Sequence, residues 1–115
     1  MAAIMRSKLP EVAVAYDFDG TLSPGNMQEY DFIPKLGMKP AEFWSKANDL
    51  ARACDGDVIL AYLNLMLSEA TARRVPIRRE DFVAYGRKVK LFPGVQEWFG
   101  RINAYGAAHG LLVRH

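Results

Sequence analysis

The run Val12-Ala13-Val14-Ala15-Tyr16 and the segment Asp17-Phe18-Asp19-Gly20-Thr21-Leu22 that follows it constrain this chain more than any other feature. Five apolar residues without polar alternation read as a strand buried on both faces, as in the middle of a parallel sheet. At its end the character flips to two carboxylates one residue apart, then Gly and Thr. Open α/β sheets bind their ligands just outside the carboxyl ends of the strands, so two acids there sit where chemistry is expected. A strand's period of two sends Asp17 and Asp19 to one side and Phe18 to the other, into the core. An Asx-type turn, with carboxylates capping backbone amides, accounts for Asp19-Gly20 but leaves Asp17 unexplained.

An apolar strand followed by Asp17-Phe18-Asp19-Gly20-Thr21-Leu22 resembles the first signature of the haloacid dehalogenase superfamily. The fold implied is α/β: a fragment of a Rossmann-like core carrying an inserted all-helical cap, the fragment itself being mostly α. The resemblance implies a magnesium-dependent phosphatase that hydrolyses phosphomonoesters through an aspartyl-phosphate. Asp17 is then the nucleophile, a role carboxylates take toward phosphoryl groups. Asp19 protonates the leaving alcohol and later takes a proton from water. Mg2+ suits the task because it is a hard cation that binds through one or two carboxylates plus phosphate. Asp17, through its carboxylate, and Asp19, through its main-chain carbonyl, are its implied ligands. Gly20 permits the tight reversal after the strand, and Thr21 supports the loop. Family branches that cleave carbon–halogen or carbon–phosphorus bonds lack the second acid. Asp19 therefore favours ester hydrolysis, with phosphomutase chemistry as an alternative. The implied partner is a phosphorylated small molecule.

The chain has 115 residues, half of them hydrophobic, enough for one ordinary domain. A net charge of +2 does not argue for nucleic acid as a partner. A single cysteine, Cys54, excludes an internal disulfide framework and fits a reducing, cytoplasmic setting. It is expected as a buried thiol on an apolar helix face. Met1 to Glu11 has no long apolar run and does not read as a signal peptide. Val58 to Leu67, broken by Asn64, is too short to span a bilayer, so no membrane is expected as a partner.

Apolar spacing predicts helices over 40–54, 57–74, 79–88 and 94–105, with a short helix or loop from Glu29 closed by Gly37. Pro40 suits a first helical turn, Asp57 a cap, and Glu80 and Asp81 the first turn of the third helix. Val58 to Arg74 is apolar on most sides and predicts a helix sandwiched between partners. Val95, Trp98, Phe99, Ile102 and Tyr105 share a stripe, with Gly106 as the C-cap. Leu111 to Val113 reads as the start of a second strand.

The resemblance divides the chain into 1–23, the first core strand and catalytic loop, 24–90, the helical cap, and 91–115, a core helix and the start of a second strand. The family's three later signatures do not occur here, so the chain reads as an N-terminal portion of a longer enzyme, inactive alone and prone to self-association. The contrasting expectation is a non-catalytic helical module that binds a partner. Arg73, Arg74, Arg78, Arg79, Arg87, Lys88 and Lys90 read as a solvated basic surface. His109 and His115 are scattered, with structural or exposed roles expected.

Overall fold

The computed structural model describes residues 8–115. The fold is mostly helical, with a two-stranded parallel sheet. The chain divides into two compact units, one made of the chain up to Pro24 together with Leu91–His115, the other of Gly25–Lys90.

In the first unit β1 (Glu11–Ala13) pairs in parallel with β2 (Leu112–Arg114), in the register Glu11↔Leu112, Val12↔Val113 and Ala13↔Arg114. Parallel neighbours need a long crossover, and its last leg is α5 (Val95–Ala108), which packs on β2. The contact is close because Gly106 lacks a side chain: a Cβ there would lie 2.5 Å from Val113 Cγ2. Gly106 is therefore a packing residue inside the helix. The left-handed glycine that ends the segment is Gly110, at φ +70°.

The strand is shorter than Val12 to Tyr16 and starts one residue earlier, because its ladder is set by the three residues of β2. It is also exposed where burial on both faces was expected, with Val12 41 % accessible. Two strands and one helix cannot cover both faces of a sheet. Among the described residues this unit buries no large apolar side chain.

The second unit carries the core. A 3-10 turn (Met27–Glu29) leads into α1 (Phe32–Lys35), α2 (Pro40–Ala53), α3 (Val58–Arg73) and α4 (Arg79–Gly86). Pro40 stands in the first turn of α2, where its missing N–H costs nothing. Asp57 caps α3, its Oδ1 accepting from the amides of Ile59 (2.8 Å) and Leu60 (3.1 Å). Asp81 Oδ2 accepts from the Arg78 amide at 2.9 Å and starts α4. Phe32, Ile33, Phe43, Ala47, Leu65 and Ala70 are the centre of the packing.

Helix α3 is not sandwiched. Ala61, Leu65, Met66 and Ala70 face the core, whereas Ile59, Leu60 and Leu67 are exposed. Cys54 is exposed as well, because α2 ends at Ala53 and the cysteine is the residue that caps it, one position past the helix. Polar ties close the unit. Trp44 Nε1 and Asn26 Nδ2 both donate to Glu29 Oε1, at 2.6 and 2.8 Å. Glu69 joins Lys46 on α2 (2.6 Å) to Arg73 on its own helix (2.8 Å), and Arg73 Nη1 also donates to the Leu36 carbonyl. Hydrogen bonds from Lys46 first, and Arg73 second, hold the Glu69 carboxyl below its ordinary value. Among the described residues no helix is long and apolar enough to cross a membrane.

Candidate functional site

Asp17 lies beyond the end of β1, so strand alternation does not decide where it points. The ladder makes one further bond, Val14 N–H to the Arg114 carbonyl at 2.9 Å, before the chain leaves the sheet. Asp17 is exposed, and its Oδ1 accepts the Phe18 amide at 2.9 Å. That bond orients one carboxylate oxygen along the backbone and leaves Oδ2 for other chemistry.

The acids are held by a tightly cross-bonded turn. The Phe18 carbonyl accepts the amides of Thr21 (3.2 Å), Leu22 (2.9 Å) and Ser23 (3.2 Å). Gly20 N–H returns to the Ser23 carbonyl at 2.7 Å, and Asp19 bridges Ser23. Gly20 sits at φ +79°, and a Cβ there would meet nothing within 4 Å, so glycine is needed for its backbone alone. Asp19 is half-buried, Ser23 is fully buried, and Thr21 enters the turn through its amide. The Leu22 carbonyl accepts the Phe92 amide at 2.9 Å, joining the turn to the Phe92-Pro93-Gly94 entry of α5. Asp17, Asp19, Gly20 and Thr21 thus share one short, main-chain-braced loop at the carboxyl end of a parallel strand.

Helical spacing placed Trp98 and Phe99 on one stripe but did not show that they meet Tyr16 and His115 beside this loop. Trp98 Nε1 donates to Tyr16 Oη at 2.8 Å, and Tyr16 Oη lies 3.0 Å from His115 Nδ1. His115 Nε2 lies 2.9 Å from Asn103 Oδ1. With the proton on Nε2 the bonds run in one direction, from Trp98 through Tyr16 and His115 to Asn103, the tautomer being assigned from these partners. Phe99 packs edge-on against both Tyr16 and His115, at 5.6 and 5.0 Å between ring centroids. Tyr16 immediately precedes Asp17, so the cluster anchors the main chain that carries it. The readable signal was a tyrosine between an apolar run and an acid. His109 has a structural role, its ring 4.3 Å from that of Tyr105.

For metal binding, the loop offers carboxylate and carbonyl oxygens, with no thiol or imidazole in it. That donor chemistry fits a hard cation that keeps several waters. Among the described residues no group of three or more His, Cys, Asp or Glu side chains converges. Comparison with family models, curated proteins and solved structures found no match for the chain.

Proposed function

We propose that this chain supplies the nucleophile loop of a magnesium-dependent phosphomonoester hydrolase of the haloacid dehalogenase type. The observation that carries the reading is the braced loop Asp17–Ser23 at the carboxyl end of a parallel strand, with Asp17 exposed and Asp19 two residues on. The crossover through α5 into a parallel neighbour is how a Rossmann-like core begins, which supports the same assignment. The unit Gly25–Lys90 is read as the cap that selects the leaving group.

In this mechanism an Asp17 carboxylate oxygen attacks phosphorus and forms the aspartyl-phosphate. The bond from phosphorus to the ester oxygen breaks, and the proton on Asp19 passes to that oxygen, releasing the alcohol. Asp19, now a carboxylate, takes a proton from water as the water attacks phosphorus. Inorganic phosphate leaves and Asp17 is restored. Mg2+, held by the Asp17 carboxylate and the Asp19 main-chain carbonyl, would offset the mutual repulsion of carboxylate and phosphate. The bonds to the Phe18 carbonyl and the reversal at Gly20 hold Asp19 within the turn.

The assay is phosphate release from an aryl phosphate, with and without Mg2+, by the longest polypeptide of the gene that contains this chain. Asp17→Asn is expected to abolish turnover. Asp19→Asn should slow it by about a hundredfold or more, as expected for loss of a general acid–base group. Full activity in Asp17→Asn would eliminate the nucleophile. With a substrate that carries a second hydroxyl, appearance of an isomerised phosphoester in place of free phosphate would mark a mutase. The second reading, a partner-binding helical module without catalysis, draws on one observation: Gly25–Lys90 has a buried core of its own. Folding with no phosphate release under any condition would favour it.

A further inference from the structure

The helical unit contains a cavity of about 230 Å3 between the 3-10 turn and helices α1, α3 and α4. Its walls include Phe32, Phe82 and Tyr85, which form a mutually packed trio with ring centroids 5.7 to 5.9 Å apart. Met66 closes the inner side, and the exposed Leu63 lies at the rim. No charged residue lines it, so an ionic ligand would lose its hydration without compensation. An apolar cavity of roughly 150 Å3 already accepts benzene, so the space here suits a single substituted ring.

Besides the hydroxyls of Tyr62 and Tyr85, the latter bonded to the Pro76 carbonyl, one amide breaks the apolar wall. Gln28 lines the cavity, and its Oε1 is buried with no hydrogen-bond partner among the described residues. An unsatisfied buried carbonyl oxygen is costly. A hydroxyl entering the cavity gains by drawing the Gln28 amide round into a hydrogen bond, whereas a methyl group of the same size does not. A hydroxyl both donates and accepts, so it serves either orientation of the amide.

We propose that this cavity is a binding site for a small neutral aromatic alcohol, its ring against the Phe32–Phe82–Tyr85 trio and its hydroxyl on Gln28. Every residue invoked belongs to Gly25–Lys90, so the site stands or falls independently of the chemistry assigned to Asp17 and Asp19.

The test titrates the whole chain with phenol and with its isostere toluene, following the Met66 methyl and the Phe82 and Tyr85 ring resonances by NMR. Phenol should shift these saturably and bind about five- to tenfold tighter than toluene, the worth of one net hydrogen bond. Gln28→Leu should reverse the order, toluene then binding tighter, since phenol would bury its hydroxyl without a partner while toluene has no hydration of that kind to lose. Leu63→Trp should obstruct the cavity and weaken both, with circular dichroism verifying that the helices persist. The proposal is overturned by equal affinity for phenol and toluene in the unaltered chain, by shifts confined to other residues, or by phenol binding that Leu63→Trp leaves unchanged.

Discussion

Gly106→Ala and Gly100→Ala place the same methyl group on the same helix in opposite surroundings. In α5 either change should improve helix propensity by about 1 kcal/mol. At Gly100 an added Cβ meets nothing within 4 Å, so this gain stands alone. At Gly106 the Cβ lies 2.5 Å from Val113 Cγ2 and 3.5 Å from the Leu111 carbonyl oxygen. Carbon atoms in ordinary contact sit about 3.5–4.0 Å apart, so one side must yield by about an ångström. Val113 cannot yield cheaply, because valine is stiff at χ1 and its backbone is paired with Val12. The Leu111 amide is bonded to the Gly106 carbonyl at 2.8 Å, which fixes the helix end against the strand. Overpacking of this kind costs about 1–3 kcal/mol. Propensity cancels between the two variants, so Gly106→Ala should be less stable than Gly100→Ala by that steric cost. Amide exchange at Val14 and Leu112, bonded to the Arg114 and Pro10 carbonyls, reports on the sheet directly. Exchange there should be roughly five- to a hundredfold faster in Gly106→Ala than in Gly100→Ala. Equal rates would refute the close approach of α5 and β2, and with it the docking that holds the end of β1.

Two further predictions concern the helical unit. Asp57→Ala removes the acceptor for the Ile59 and Leu60 amides and should destabilise α3 by about 1 kcal/mol, read as a lowered midpoint in urea. Glu69 has its carboxyl held below the ordinary value by Lys46 and then Arg73, so its folded form favours the charged state. A depressed acid contributes stability that is full above the unfolded value, about 4.3, and is lost as pH falls through the folded one. Urea midpoints of the unaltered chain should therefore drop below about pH 4 more steeply than those of Glu69→Gln, and identical slopes would discount the Lys46–Glu69–Arg73 bridge.

The helices were legible because their signals are local. Apolar spacing and Pro40 predicted a helix over 40–54 where Pro40–Ala53 forms, and the Asp57 cap marked the start of Val58–Arg73. The fourth prediction, 94–105, stopped short of Ala108 because two glycines four residues apart offered the same end signal. Only the approach of Val113 distinguishes Gly106 as a packing position, and that contact is set by the sheet. The strand bounds were misjudged for a related reason. Val12 to Tyr16 is uniformly apolar, so nothing within it says which residues pair. Its partner lies about a hundred residues away, and the register Glu11↔Leu112 sets the limits. In α3 apolar character all round said that burial was available, not that a neighbour was present to provide it. Leu60 is 69 % exposed as a result.

The candidate site divides along the same line. The residue types of the Asp17–Ser23 loop were readable as a contiguous motif, and so was the need for glycine at Gly20, which the φ of +79° bears out. The support around the loop was not readable, because it comes from elsewhere in the chain. Tyr16 and His115 are 99 residues apart in sequence, yet their side chains meet. Parallel pairing makes this possible: β1 and β2 run the same way, so the residues that follow each strand emerge at the same end. Trp98 and Asn103, both on α5, hold the outer members of that pair. The loop carrying Asp17 is thus braced at two places, through Tyr16 against α5 and through Leu22 against the entry to the same helix. A shift of α5 along β2 would move both braces together. The close approach at Gly106, which sets α5 against β2, therefore bears on where the loop is held as well as on the sheet.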